Sequence, residues 1–287
     1  MASTTNPPAP SQDICLSMLR EMDRDRYLAC LLSPADKRPH LAALYAFNAE
    51  IARVRDVVRE PLPGEIRLQW WRDLLEGDVQ GESTGNPVAA GLLTAVETFN
   101  LPRQTLVNMI EARIMDLYDD PLPDRNSFEG YAGETASALI QLASLILSPE
   151  DAVKSAEAAG HAGVAQAVAG ALLLMPIHRS RHQVYLPLEI LSATGLDRDS
   201  FLKADDRARV SAAVEAFAGL GQEHLVKAHK AAPVPPSVFP AYLPVSLVES
   251  VLKRASRLGA AVYEQPLQAP QWRRQLVLLK ASITRRF

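Results

Sequence analysis

The sequence predicts an all-α protein that folds as one domain. Alternation of apolar and polar residues, which marks β-strands, is scarce along the chain. Apolar residues instead recur at spacings of three and four, and the strong helix formers alanine and leucine are abundant. Hydrophobic residues make up 48% of the 287 residues, which is enough for a sizeable core. We expect a disordered, proline-rich tail over residues 1–10 and a helical domain over residues 11–287.

Helical spacing and helix-breaking residues set the elements that we expect in the first half of the chain. The first two predicted helices cover residues 13–32 and 39–59, and a third begins at Gly64. Two more cover residues 88–99 and 103–118. Pro34 follows the first helix, and Pro61 and Pro63 end the second. Glycine, serine and asparagine make residues 78–87 a loop.

The second half continues with predicted helices over residues 127–147, 149–175 and 205–229, and a short one near Pro187. Pro176 lacks a backbone donor and is expected to stop or kink the second of these, before a loop that carries His178 to His182. Five prolines between residues 233 and 244 predict a stiff connector. The two helices expected beyond it could hardly form a core of their own, so one domain is the prediction.

Charge and cysteine content narrow the functional class. A net charge of −3 gives no reason to expect nucleic acid as a partner. Cys15 and Cys30 are too few for a disulfide framework. Residues 1–10 lack the pattern of a secretory signal, and the apolar run over residues 162–177 is short for a membrane span. We expect a cytoplasmic protein, with a processed organellar form as the alternative.

Six short segments, in chain order, resemble parts of the squalene/phytoene synthase family. No single segment is specific, but the ordered set is. The segments cover residues 38–47, 70–75, 86–88, 111–117, 131–136 and 184–189. The resemblance implies an isoprenoid-synthase-like helical bundle around a central cavity.

Enzymes of that family join two prenyl diphosphates head to head, and this chemistry needs carboxylates. Diphosphate leaves only when its charge is neutralised, and Mg²⁺, which does this, prefers oxygen ligands. Two aspartates four residues apart share one helix face and can hold the metal together. The resemblance implies two such motifs on facing helices.

This sequence departs from the family pattern at both motifs. The first falls on residues 52–56, where Ala52 replaces an aspartate, Arg53 and Arg55 follow, and Asp56 is retained. The second falls on residues 174–178, where Leu174 and His178 occupy the aspartate positions. One carboxylate of four remains, so we assign no catalytic residue, metal or cofactor. Mg²⁺ is expected only if the chain is nevertheless a synthase.

A narrower resemblance follows from three further stretches. Residues 46–52, 176–187 and 239–247 are similar to the mitochondrial respiratory complex I assembly factors of this superfamily, which also lack the aspartates. The resemblance implies a non-catalytic assembly factor whose partner is a complex I subunit or another assembly factor. Two alternatives stay open. One is a head-to-head prenyltransferase, and the other is a module that binds an isoprenoid or quinone tail.

Basic residues around the two motifs are candidates for holding an anion, since arginine pairs well with phosphate. The candidate ligand-binding residues are Arg53, Asp56, His178, Arg179, Arg181 and Tyr185. The alternative is a solvated loop with ordinary helix-face charges, with Asp56 paired to Arg53 or Arg59. His178 and His182 have a spacing that can bind zinc. Asp116 and Glu111 are interpreted as charges on a helix face.

The C-terminal helix is expected to be basic and partly apolar. It carries Arg273, Arg274, Arg285 and Arg286 together with Leu276, Leu278 and Leu279. This composition is compatible with peripheral contact with an anionic membrane, on the inner membrane face. A solvated terminal helix is the alternative.

Overall fold

The computed structural model describes residues 11–77, 85–231 and 233–287. These residues form helices joined by short connections, and none of them lies in a β-strand. The predicted all-α class is therefore confirmed. Residues 1–10, where we predicted a tail, and most of the predicted loop over residues 78–87 lie outside the described residues.

We number the α-helices in chain order. They are α1 (Ser11–Met22), α2 (Arg24–Leu31), α3 (Arg38–Ala52), α4 (Val54–Val57), α5 (Pro61–Glu76), α6 (Pro87–Phe99), α7 (Arg103–Ile114), α8 (Arg125–Ala132), α9 (Ala138–Leu147), α10 (Pro149–Lys154), α11 (Ala156–Leu173), α12 (Met175–Ser180), α13 (Leu188–Ala193), α14 (Arg198–Lys203), α15 (Arg207–Lys230), α16 (Phe239–Tyr242), α17 (Val248–Leu258) and α18 (Gln271–Thr284). Among the described residues, 3₁₀ segments cover Met115–Leu117, Leu243–Leu247 and Gly259–Tyr263, and a π segment over Gly133–Ser137 joins α8 to α9.

The core is centred on α11 and α15, which pack along each other. Both are long and rich in small residues, so their backbones approach closely and large side chains such as Phe217 are completely buried between neighbouring helices. The π segment lies against α11 at Gly163, which is buried. On the other side of the molecule, α3 packs against α1 and α6, and α5 packs against α7.

Two predicted helices are interrupted where a side chain or the backbone geometry ends the hydrogen-bond ladder. The predicted helix over residues 13–32 breaks at Asp23, whose carboxylate accepts the backbone N–H of Arg26 at 3.0 Å and caps α2. The predicted helix over residues 39–59 ends at Ala52, and the short α4 follows after Arg53. Both predicted boundaries were wrong: the Asp23 cap ends the first helix early, and at Arg53 a ψ of 5° takes the backbone out of the α-helical conformation.

The proline-rich segment over residues 233–244 is also different from the prediction. The predicted stiff connector is shorter than expected and ends at residue 238, since Phe239 begins α16 and Pro244 lies in a 3₁₀ segment. Tyr242 is completely buried and donates its hydroxyl hydrogen bond to the Ser155 carbonyl at 2.8 Å. Pro240 and Pro244 are tolerated because they occupy first turns, where no backbone N–H is needed.

Candidate functional site

The first motif positions lie where α3 ends and α4 begins. Ala52 is the last residue of α3, and Asp56 lies in α4. The Asp56 carboxylate accepts a hydrogen bond from Arg181 and lies 3.6 Å from the Arg53 Nε. Arg55 turns the other way, toward Asp119 at 3.5 Å and the Arg59 carbonyl at 3.0 Å. The retained carboxylate is therefore neutralised by two guanidinium groups of the chain itself.

The second motif positions lie at the junction of α11 and α12. Leu174 follows the end of α11 and its side chain is 46% exposed. His178 lies one turn later, in α12, where its backbone N–H donates to the Leu174 carbonyl at 2.8 Å. The predicted loop was thus wrong over Met175–Ser180, because Pro176 begins a new helical turn instead of only ending the old one.

The other candidate residues of this segment point in different directions. Arg179 donates to the Leu202 and Lys203 carbonyls, both at 2.7 Å, and lies over the Tyr263 ring. His182 follows α12 with a φ of 58°, so it does not continue the helix face of His178. Within the described ranges, no three His, Cys, Asp or Glu side chains are grouped closely enough to hold a metal ion.

His178 and Asp56 lie at the same end of the bundle, connected through Arg181, but they do not line one common cavity. The cavity beside His178 measures about 10 Å³ and is also lined by Tyr185, Arg179 and Tyr263. A single water needs about that volume. In this conformation, the space next to the second motif position does not accommodate a prenyl chain.

A buried charge network next to this cavity was missed by the sequence analysis. Asp116, interpreted as a surface charge, is only 6% exposed because it lies in the 3₁₀ turn after α7 and faces inward. Arg113 contacts its Oδ2 at 3.0 Å, and the hydroxyls of Tyr131 and Tyr185 each donate to its Oδ1 at 2.9 Å. The Gln183 side-chain amide donates to the Asp116 backbone carbonyl at 2.8 Å.

The electrostatics of the network match its geometry. Burial, and then the Asp116 charge, raise the pKa of Tyr185, and burial likewise raises the pKa of Tyr131. Burial alone would lower the pKa of Arg113, but Tyr131 and Asp116 outweigh it and raise that pKa. The tyrosines therefore stay protonated donors and the arginine stays charged. The network joins α7, α8 and the segment after α12, and the single O–H donor of each tyrosine is used in holding Asp116.

A signal for this network existed in the sequence. Asp116, Tyr131 and Tyr185 each fall in a segment that resembles the synthase family. The spacing of Asp116 on its helix, however, could not reveal which face was buried. Burial depended on partners that are 15 and 69 residues away in the chain.

His178 should make stability depend on pH. Its ring centroid lies 4.4 Å from that of Tyr185, and burial, followed by the charge of Arg181, lowers its pKa to about 4. Unfolded histidine titrates near about 6.5. The stabilising contribution of the neutral ring is therefore complete above that value and is lost as the pH falls toward 4.

We expect the substitution His178→Gln to weaken the fall of the Tm between about pH 6.5 and pH 4, because glutamine takes up no proton there. Thermal unfolding at several pH values would measure this, with His182→Gln at an exposed position as the control. An unchanged slope in the His178 variant would contradict the expectation.

Several known proteins are similar to this chain in sequence. The family model for squalene/phytoene synthase matches residues 19–278. The chain is 34% identical over 272 residues to the human protein named NADH dehydrogenase (ubiquinone) complex I, assembly factor 6, covering 93% of this chain and 81% of the relative. It is 26% identical over 210 residues to a 15-cis-phytoene synthase of Synechocystis sp., covering 69% of this chain and 62% of that enzyme.

The fold is also shared with a solved structure. A crystal structure of a dehydrosqualene synthase in complex with ligand superimposes with a TM-score of 0.80, at 16% identity, over 96% of each chain. This confirms the predicted isoprenoid-synthase-like bundle. Sequence match and fold together establish that the chain belongs to the squalene/phytoene synthase family.

Proposed function

We propose that this chain is a non-catalytic assembly factor for respiratory complex I, the NADH:quinone oxidoreductase. One observation carries the proposal: Asp56, the last carboxylate at the four motif positions, is held by Arg181 and Arg53. Binding of magnesium diphosphate needs several carboxylate oxygens directed at the metal. Here the chain supplies guanidinium groups in their place, and Leu174 can ligate no metal.

The similarity to relatives named as assembly factors supports the same function. It extends over 93% of this chain, so it includes the motif helices and the buried Asp116 network. We propose that the partner is a complex I subunit or another assembly factor, bound at the surface of the bundle. We further propose that the protein acts on the cytoplasmic, inner face of the membrane that carries the complex.

The two alternatives receive less support. A prenyltransferase of this fold would need carboxylates at Ala52, Leu174 and His178. A module that binds an isoprenoid or quinone tail would need an apolar cavity of roughly 300 Å³ or more. The cavity beside His178 offers about 10 Å³, and a second cavity between α5 and α7 offers about 150 Å³.

Deletion of the gene in its host tests the proposal. We expect less assembled complex I on native gels and slower NADH-driven quinone reduction, with unchanged squalene- and phytoene-derived isoprenoids. Complementation with the wild-type gene and with Asp56→Ala should restore the complex equally, because a half-exposed ion pair adds only about 0–1 kcal/mol of stability. Normal complex I activity together with loss of an isoprenoid would instead establish the synthase alternative.

The purified protein is expected to have no magnesium-dependent turnover of farnesyl or geranylgeranyl diphosphate. Loss of both metal clusters should slow such a reaction by roughly a thousandfold or more. The double substitution Ala52→Asp with Leu174→Asp should not restore it, since His178 still replaces the fourth acid. Product analysis by mass spectrometry measures this, and squalene or phytoene above a no-enzyme control would refute it.

A further inference from the structure

Helix α18 has one face attached to the protein and the opposite face open. Leu278 and Ala281 are buried against a small cluster that contains Phe239 and Leu243. Arg274 forms an ion pair with Asp25 of α2 on the same side. These contacts fix the rotation of the helix about its axis, so the outward face has a defined direction.

That outward face is a continuous apolar stripe. It consists of Trp272, Leu276, Leu279 and Ile283, which are 57%, 57%, 48% and 74% exposed. Their spacings of four, three and four residues place them within an arc of roughly 60° on the helix, along about 16 Å of its length. Large apolar side chains aligned in this way on a surface mark a site of interaction.

The charges on the helix identify the partner class. The segment from Gln271 to Phe287 contains basic residues and no Asp or Glu. The basic residues are Arg273, Arg274, Lys280, Arg285 and Arg286. Arg273 and Lys280 lie beside the stripe, roughly 70–90° from its centre. Asp25, which contacts the helix, is already paired with Arg274. The open face is therefore apolar with a positive edge.

Two features favour a lipid surface over an acidic protein groove. Trp272 stands at the first turn with the Arg273 guanidinium 5.0 Å from its ring, and tryptophan with adjacent arginine suits the headgroup region of a bilayer. The stripe lies on one uninterrupted helix, so it can enter a flat surface along its whole length. Within the described residues no helix has the length and apolar character to cross a bilayer.

We propose that α18 lies in the surface of an anionic phospholipid bilayer. The stripe enters the boundary between headgroups and acyl chains, while Arg273 and Lys280 reach the lipid phosphates. The protein then binds as a peripheral membrane protein. The rest of the bundle lies away from the bilayer, on the side of α18 that carries Leu278 and Ala281.

Sedimentation with phosphatidylcholine vesicles, with and without phosphatidylglycerol, tests the proposal. We expect binding to the anionic vesicles that weakens with salt, and little binding to the neutral ones. The double substitution Leu276→Glu with Ile283→Glu should weaken binding at least about tenfold, because two apolar side chains become charged. Val153→Glu, at a position 72% exposed on α10, is the matched control and should bind normally.

Two further measurements test the role of the basic residues and the position of Trp272 in the bilayer. Replacing Arg273 and Lys280 by glutamine should lower affinity for anionic vesicles about fivefold for each charge removed. The blue shift of tryptophan emission on vesicle binding should be lost in Trp272→Phe. The proposal would be overturned by equal binding to anionic and neutral vesicles, or by unchanged binding of the Leu276/Ile283 variant. A dimer of the wild-type chain that this variant dissociates, without vesicle binding, would show that a second copy covers the stripe.

Discussion

Replacement of Asp116 by leucine is expected to lower the free energy of unfolding by about 3–5 kcal/mol, because it leaves a buried positive charge without its counter-ion. Arg113 is only 17% exposed and contacts Asp116 at 3.0 Å. The hydroxyls of Tyr131 and Tyr185 would lose their acceptor in the same step. Urea unfolding followed by circular dichroism measures the change.

The matched control is Asp119→Leu. Asp119 lies three residues further along, is 46% exposed and also faces an arginine, Arg55, at 3.5 Å. An exposed pair of this kind contributes about 0–1 kcal/mol. A second variant, Asp116→Leu combined with Arg113→Met, should recover part of the lost free energy of unfolding, because it removes the unpaired charge of Arg113. If the Asp116 and Asp119 variants were equally stable, the buried network would not support the fold in this way.

Substitution of Gly163 by alanine is the second change for which we expect a large loss, of about 3 kcal/mol or more. A Cβ atom there would lie 2.3 Å from the Ser137 backbone nitrogen and 2.4 Å from its Cα. Backbone atoms cannot move aside as a flexible side chain can, so α11 and the π segment would have to separate. Thermal and urea unfolding of the variant would give the size of this loss.

Gly160 provides the control within the same helix. A Cβ atom at Gly160 meets nothing within 4 Å, so Gly160→Ala should be neutral or raise stability by about 0.5–1 kcal/mol through helix propensity. The Ser137 hydroxyl, which donates to the Gly160 carbonyl at 2.7 Å, keeps its acceptor in this variant. Equal stability of the two alanine variants would mean that α11 and the π segment are not in close contact.

The sequence was sufficient for the features that depend on local spacing and on residue identity. Helical periodicity predicted the class, and the replacement of aspartates by Ala52, Leu174 and His178 could be read from the aligned motifs. Features that depend on distant partners could not be obtained in this way. Burial of Asp116 required Tyr185, 69 residues later, and the buried proline segment required a surface formed by other helices. Helix boundaries such as Asp23 depended on single capping hydrogen bonds.

The ion pair between Arg181 and Asp56 also bears on the history of this protein. A guanidinium that belongs to the chain pairs with the last motif carboxylate, so an external cation would have to displace it. A return to diphosphate chemistry would require acids at Ala52, Leu174 and His178 and, in addition, removal of Arg181. We expect none of these substitutions alone to give activity, and loss of Arg181 would leave Asp56 paired with Arg53 at 3.6 Å. Under the function proposed above, a gain of diphosphate chemistry would therefore need several substitutions together, none of which brings a benefit by itself.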